Sequence, residues 1–185
     1  MNKYNPNLHH RRSIRLRGYD YSQPGAYFIT LCTQNRECLF GNVVDEKMIL
    51  NDAGKMIEKW YFEFQKKFSV IQCDQYIIMP NHMHFIIINV GADLGVCPEN
   101  TGEHNLKGEH IGSPLRDIIR WFKTMTTNEY IRNVKNNEWK PFNGKLWQRN
   151  YYEHIIRNEK ELNKIREYII NNPLKWGLDK YYSEK

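Results

Sequence analysis

No apolar run in the 185-residue chain approaches the ~20 residues of a membrane span, and its opening, MNKYNPNLHHRRSIRLRG, lacks the apolar middle of a secretory signal. Both absences predict a protein that keeps off membranes and works in the cytoplasm. Cysteine is scarce. The four residues, Cys32, Cys38, Cys73 and Cys97, form no C-x-x-C pair, which argues against a zinc ribbon or a disulfide framework. Repeats and low-complexity tracts are missing too. What is present is a hydrophobic fraction of 41%, of which aromatics make up a large share. A chain of this size buries roughly 70% of its unfolded surface and needs no staple to fold. One domain spanning 1–185 is expected.

The net charge of +6 is mild but unevenly placed. Arg11, Arg12, Arg15 and Arg17 precede the first acid, Asp20, and Tyr19 and Tyr21 stand beside them. A basic arm over 1–22 suits a phosphate backbone through counterion release, and equally a solvated tail.

Residues 26–33 follow a Pro24-Gly25 break and are rich in β-branched and aromatic side chains, which marks a first core strand. Apolar runs at 38–40, 42–44 and 47–50, interrupted by Gly41 and by Asp45-Glu46, read as an extra ribbon. From Asn51 or Asp52 onward the period changes: Met56, Ile57, Trp60, Phe64 and Phe68 recur at helical spacing, predicting a helix over 53–68. Runs at 70–79 and 82–90, separated only by Pro80-Asn81, predict an antiparallel hairpin. Residues 91–112 show no periodicity and read as a mobile surface insertion. Ser113-Pro114 opens a second helix with Leu115, Ile118, Ile119, Phe122 and Met125 on its buried face. A fourth core strand is expected over 145–155 and a last helix over 159–171, stopped by Pro173. The order strand, helix, strand, strand, helix, strand, helix predicts an α+β fold. It is a ferredoxin-like, RRM-like split βαβ with a central antiparallel sheet, an extra N-terminal ribbon and an added C-terminal helix.

His82 and His84 alternate with Met83 on a strand and so project to one side, close enough to share a divalent ion or simply to line a wet face. On the last helix Tyr168 and Asn172 stand at i and i+4, so a phenol and an amide could approach one site. Tyr168 could equally join the apolar face of Leu162, Ile165 and Ile169, and Asn172 could be a C-cap before Pro173. On the second helix Arg116, Arg120 and Lys123 form a stripe able to follow a nucleic-acid backbone or to face solvent.

The run QYIIMPNHMHFIII (75–88) resembles the His-hydrophobic-His strand of HUH single-strand DNA endonucleases. LWQRNYYEHIIR (146–157), REYIINNPLKWG (166–177), RSIRLRGYDYS (12–22) and IRWFKT (119–124) resemble, in order, the REP-associated tyrosine transposases. The likeness covers nearly the whole chain outside 91–112. It implies an enzyme that cleaves and transfers single-stranded DNA through a 5′-phosphotyrosine, at hairpin-forming palindromic repeats. Tyr168 would be the nucleophile, with Tyr151 and Tyr152 as competing choices. His82, His84 and Asn172 would hold a divalent ion, Mg²⁺, with Mn²⁺ as an in vitro substitute. That ligand set carries no carboxylate, so weak metal binding without DNA is expected. Arg11, Arg12, Arg15, Arg17, Arg116, Arg120 and Lys123 would contact single-stranded or hairpin DNA, placing the protein at the nucleoid, as a monomer or a homodimer. The alternative is an RRM-like nucleic-acid-binding module without chemistry; a hydrolase using an activated water is a third reading.

Overall fold

The computed structural model describes Tyr19 and residues 23–91, 114–136 and 139–182. The four arginines of the basic arm and nearly all of the 91–112 insertion lie outside these residues.

The first core strand, β1 (Gly25–Cys32), leads into a small hairpin, β2 (Gly41–Val44) and β3 (Lys47–Leu50), which is the extra ribbon. Asp45 and Glu46 both take positive φ, 48° and 59°, as a two-residue turn matched to strand twist requires. Leu39 and Phe40 are not strand. Their N–H groups donate to the Pro80 carbonyl, which anchors the ribbon to the turn before the histidine strand.

Helix α1 (Asp52–Lys67) starts where the Asn51 side chain accepts from the Gly54 N–H at 2.9 Å. It buries Met56, Ile57 and Phe64 of the expected stripe together with Tyr61, while Trp60 and the C-cap Phe68 are only partly buried against the core. A Cβ on Gly54 would sit 2.3 Å from the Phe40 carbonyl oxygen, so only glycine lets α1 approach the ribbon this closely. Strands β4 (Ile71–Met79) and β5 (His82–Asn89) form the hairpin, followed by α2 (Pro114–Lys135), β6 (Tyr152–Ile156) and α3 (Glu159–Ile170).

The sheet runs β4-β5-β1-β6, with every neighbouring pair antiparallel. This is the split βαβ order expected from the sequence. Alternation along β5 divides its side chains: Met83, Phe85 and Ile87 join α1 and α2 in the larger core, while Ile86 joins Phe28, Ile156 and Ile169 under α3. His82 and His84 share that second face. A bulge between Cys73 and Tyr76 breaks the β4 register. Asp74, within it, accepts a bidentate pair from Arg166 of α3, with the Arg166 Nε 2.8 Å from one carboxylate oxygen. Among the described residues no helix is long and apolar enough to cross a membrane.

The fourth core strand is shorter than expected and starts at Tyr152 rather than at Lys145. Residues 145–151 instead make one bridge, Thr33 to Trp147, and run irregularly past α2. The reason is Lys123, whose ammonium donates to the carbonyls of Gln148, Arg149 and Asn150 at 3.0, 3.4 and 3.4 Å, drawing that backbone away from a ladder. The last helix closes at Asn171, its C-cap, and a 3₁₀ turn from Pro173 to Leu178 carries the chain back over the sheet.

Candidate active site

β5 pairs with β1 so that Thr30 lies opposite His84 and Cys32 opposite His82. Both histidines are fully buried, His82 at 0% and His84 at 1% exposure, so neither sits on a wet face. Their rings lie 4.6 Å apart. Burial away from water holds both imidazoles neutral, with His84 pushed down to about 3 and His82 well below its ordinary value. A neutral imidazole keeps a lone pair, which is what a metal ligand needs.

Each ring is tied at Nδ1. Thr30 Oγ1 lies 2.8 Å from His84 Nδ1, and Asn81 Oδ1 lies 2.9 Å from His82 Nδ1. The Nε2 atoms are therefore the ones turned into the site. His82 Nε2 is buried without a hydrogen-bond partner among the described residues.

Tyr168 arrives from α3, where an Asn158 N-cap and the Arg166–Asp74 fork fix the helix on the sheet. Its hydroxyl lies 3.2 Å from His84 Nε2 and its ring stands edge-on to Phe28. The phenol is 42% exposed, so it faces a cavity as well as the histidines. Burial, with the nearby Asp179 carboxylate second, pushes its pKa up to about 12. Of the competing tyrosines, Tyr152 also lines this cavity, while Tyr151 borders a groove beside α2.

One residue of the site was not foreseen. The 3₁₀ turn after α3 delivers Asp179, and one ligand atom each from His82, His84 and Asp179 lie within 4.8 Å of one another. Asp179 sets a carboxylate beside the two histidines, a charge that the expected set of His82, His84 and Asn172 did not include. Asn172 does reach the site: it is buried, its Nδ2 donates to an Asp179 oxygen at 3.2 Å, and its Oδ1 is buried without a partner among the described residues. Two imidazoles and one carboxylate this close together fit a divalent cation. Tyr181 and Trp176 close the other side, with ring centroids 4.7 and 5.9 Å from that of His82. The signal for Asp179 in the sequence was no more than an acid two residues past a matched motif.

The cavity in front of Tyr168 has a volume of about 680 Å³ and includes Tyr152, Lys164, Lys175 and Lys180 in its wall. A separate groove of about 490 Å³ lies between α2 and residues 142–151 and is rimmed by Arg116, Arg120, Lys145 and Arg149. Arg116 and Arg120 are exposed on α2 beside Asp117, whereas Lys123 turns inward to the three carbonyls named above.

Residues 104–172, which include α2, β6 and α3 with Tyr168, match the family model described as IS200-like transposase. A Haemophilus influenzae Rd protein of no assigned function is 40% identical over 182 residues, covering 97% of each chain. A second protein of that organism, named provisionally as a REP-associated tyrosine transposase, is 27% identical over 162 residues, covering 85% of this chain and 75% of its own. Among solved structures, a REP-associated tyrosine transposase bound to a REP hairpin superposes with a TM-score of 0.52 at 18% identity. It covers 97% of this chain and 77% of that one, and shows the shared fold. Residues 104–172 therefore carry an IS200-like transposase domain, the mark of an enzyme, and the chain is similar over most of its length to the relative named as a REP-associated tyrosine transposase.

Proposed function

We propose that the protein cuts and rejoins single-stranded DNA at hairpin-forming repeats, with Tyr168 as the nucleophile and a covalent 5′-phosphotyrosine as the intermediate. The observation that carries this reading is the Tyr168 hydroxyl placed 3.2 Å from His84 Nε2, at the mouth of a basic cavity. Tyr168 Oη attacks phosphorus, the new P–O bond forms to the phenol, and the bond from phosphorus to the 3′ oxygen breaks. The 3′ oxygen leaves and takes up a proton as a free hydroxyl. Because the broken phosphodiester is replaced by a phosphotyrosyl ester, attack by a second 3′ hydroxyl rejoins strands without ATP.

His84 is no general base for this step. Burial raises the phenol's pKa and lowers the imidazole's, so transfer of the phenol proton to His84 is disfavoured from both sides. The phenolate needs positive charge beside it. His82, His84 and Asp179 would hold a divalent cation there, Mg²⁺ or Mn²⁺, and Asn172 would set the Asp179 carboxylate and touch the phenol. When bound, the cation supplies charge stabilisation to the phenolate and to the scissile phosphate. A single catalytic domain holds all of these groups.

The substrate side is carried by charge. Lys164, Lys175 and Lys180 around the cavity suit the phosphates of a single strand, and the exposed ring of Tyr152 suits stacking on an unpaired base. Arg116 and Arg120 would contact the hairpin from the groove beside α2, with Lys123 holding the wall of that groove. Arg11, Arg12, Arg15 and Arg17 would extend the phosphate contacts. Because Tyr151 and Tyr152 are successive residues, one bordering the groove and one the cavity, a strand passing the β6 edge would connect the two. The protein would accordingly act at the nucleoid.

A hairpin oligonucleotide labelled at its 3′ end, incubated with protein and Mn²⁺, tests the reading on a denaturing protein gel. A labelled, slower protein band that Tyr168→Phe and Asp179→Asn both lose is expected. Cleavage that persists in Tyr168→Phe without any adduct would overturn it in favour of water-based hydrolysis.

A further inference from the structure

Asn81 occupies the two-residue turn between β4 and β5 and is completely buried. Its amide nitrogen donates to two backbone carbonyls, that of Tyr181 at 2.8 Å and that of Arg36 at 3.2 Å. Carbonyl oxygens only accept, so they dictate which end of the amide is which: NH₂ toward the two carbonyls, oxygen toward His82. That oxygen lies 2.9 Å from His82 Nδ1 and can likewise only accept. The proton shared between them must therefore sit on Nδ1. Nε2 is buried with no acceptor within hydrogen-bond distance among the described residues, so a proton there would go unpaired and Nε2 is left bare, in a ring whose neighbours include His84 and Asp179.

The tautomer of His84 is not fixed in this way. Thr30 offers a hydroxyl, which donates or accepts, so its contact with His84 Nδ1 admits either tautomer. Asn81 alone converts a backbone arrangement into a defined imidazole.

We infer that Asn81 is a positioning residue that locks His82 in the Nδ1–H tautomer, so that the Nε2 lone pair stands ready for a divalent cation before any cation or DNA arrives. The turn itself is held firmly enough for the task. The Asn81 carbonyl accepts from the Thr33 N–H and the Thr33 hydroxyl at 2.9 and 3.0 Å, and the Pro80 carbonyl accepts from Leu39 and Phe40. The inference rests on the proposed metal site, but its primary readout needs neither metal nor activity.

The test is ¹⁵N NMR of the metal-free, histidine-labelled full chain, compared with Asn81→Ala and Asn81→Asp, together with Mn²⁺ titration of all three. Wild type should show His82 with a protonated, pyrrole-type Nδ1 and a bare, pyridine-type Nε2. Asn81→Ala removes the acceptor and should release the tautomer and weaken Mn²⁺ binding by roughly 10–100-fold. Asn81→Asp loses the donors to Arg36 and Tyr181, and so loses stability as Asn81→Ala does, yet keeps an acceptor for Nδ1–H. It should retain the tautomer and most of the affinity. A purely structural role would make the two variants equal in both signals. A wild-type His82 protonated at Nε2, or an Asn81→Ala protein that keeps both tautomer and affinity, would overturn the inference. A confirmed tautomer in a protein that cleaves no hairpin would count against the proposed function alone.

Discussion

Lowering the pH of the metal-free protein should destabilise it through His82 and His84 well before its carboxylates titrate. Both imidazoles are buried and neutral in the native state, His84 down to about pH 3, whereas in the unfolded chain each takes up a proton near the ordinary value of 6.5. The unfolded state thus binds more protons at every pH between these limits, so stability rises with pH across that window and falls as pH drops below 6.5. Between pH 6.5 and 5.0 the loss is about 1.6 kcal/mol for His84, and His82, held neutral in the same direction, adds to it, against a typical total of 5–15 kcal/mol. Urea melts at the two pH values, in EDTA, would read this as a lower midpoint at an unchanged slope. The double variant His82→Asn/His84→Asn should lose most of the difference. Equal stability of wild type at pH 6.5 and 5.0, or the same loss in the double variant, would refute the reasoning.

The other consequences are independent of that pair. Removing one partner of the fork that ties α3 to β4, in Asp74→Asn or Arg166→Met, should destabilise by about 1–3 kcal/mol. The two losses should be strongly non-additive in a double-mutant cycle read by urea melts. Arg166 holds the Asp74 carboxyl below its usual range, so this contribution is present above about pH 4 and disappears as pH falls through the depressed value. Gly54→Ala drives a methyl group onto the Phe40 carbonyl and should cost about 1–3 kcal/mol, measured by thermal unfolding; a neutral effect would mean α1 and the ribbon do not pack as described. Replacing Arg116 and Arg120 by Gln should lower the slope of log affinity against log salt by roughly 0.7–0.9 per lost phosphate contact on a labelled hairpin, and an unchanged slope would remove α2 from the interface.

The order of elements and the shared face of His82 and His84 were legible because strand and helix periods repeat over many residues and average out local noise. Tyr168 was legible from its motif, and the structure sets its hydroxyl against His84. Three features depend on contacts that no local pattern announces. Asp179 enters the site because a 3₁₀ turn folds back over the sheet, where Arg36 donates to the Lys180 carbonyl and Asn81 to that of Tyr181. Lys123 shares a helical stripe with Arg116 and Arg120, yet its position beside the irregular 148–150 backbone turns its cation toward carbonyls rather than solvent. Asn81 reads as one half of a tight connection, and its role emerges only once Arg36 and Tyr181 are seen to orient its amide.

The central claim is that Tyr168 forms the bond to phosphorus. Its most direct test is mass spectrometry of the protein after reaction with an unlabelled hairpin and Mn²⁺, followed by nuclease and trypsin digestion. The account expects a nucleotide-bearing phosphotyrosine on the peptide Glu167–Lys175, which contains Tyr168 as its sole tyrosine. A nucleotide on the peptide carrying Tyr151 and Tyr152, or efficient cleavage with every tyrosine unmodified, would contradict it.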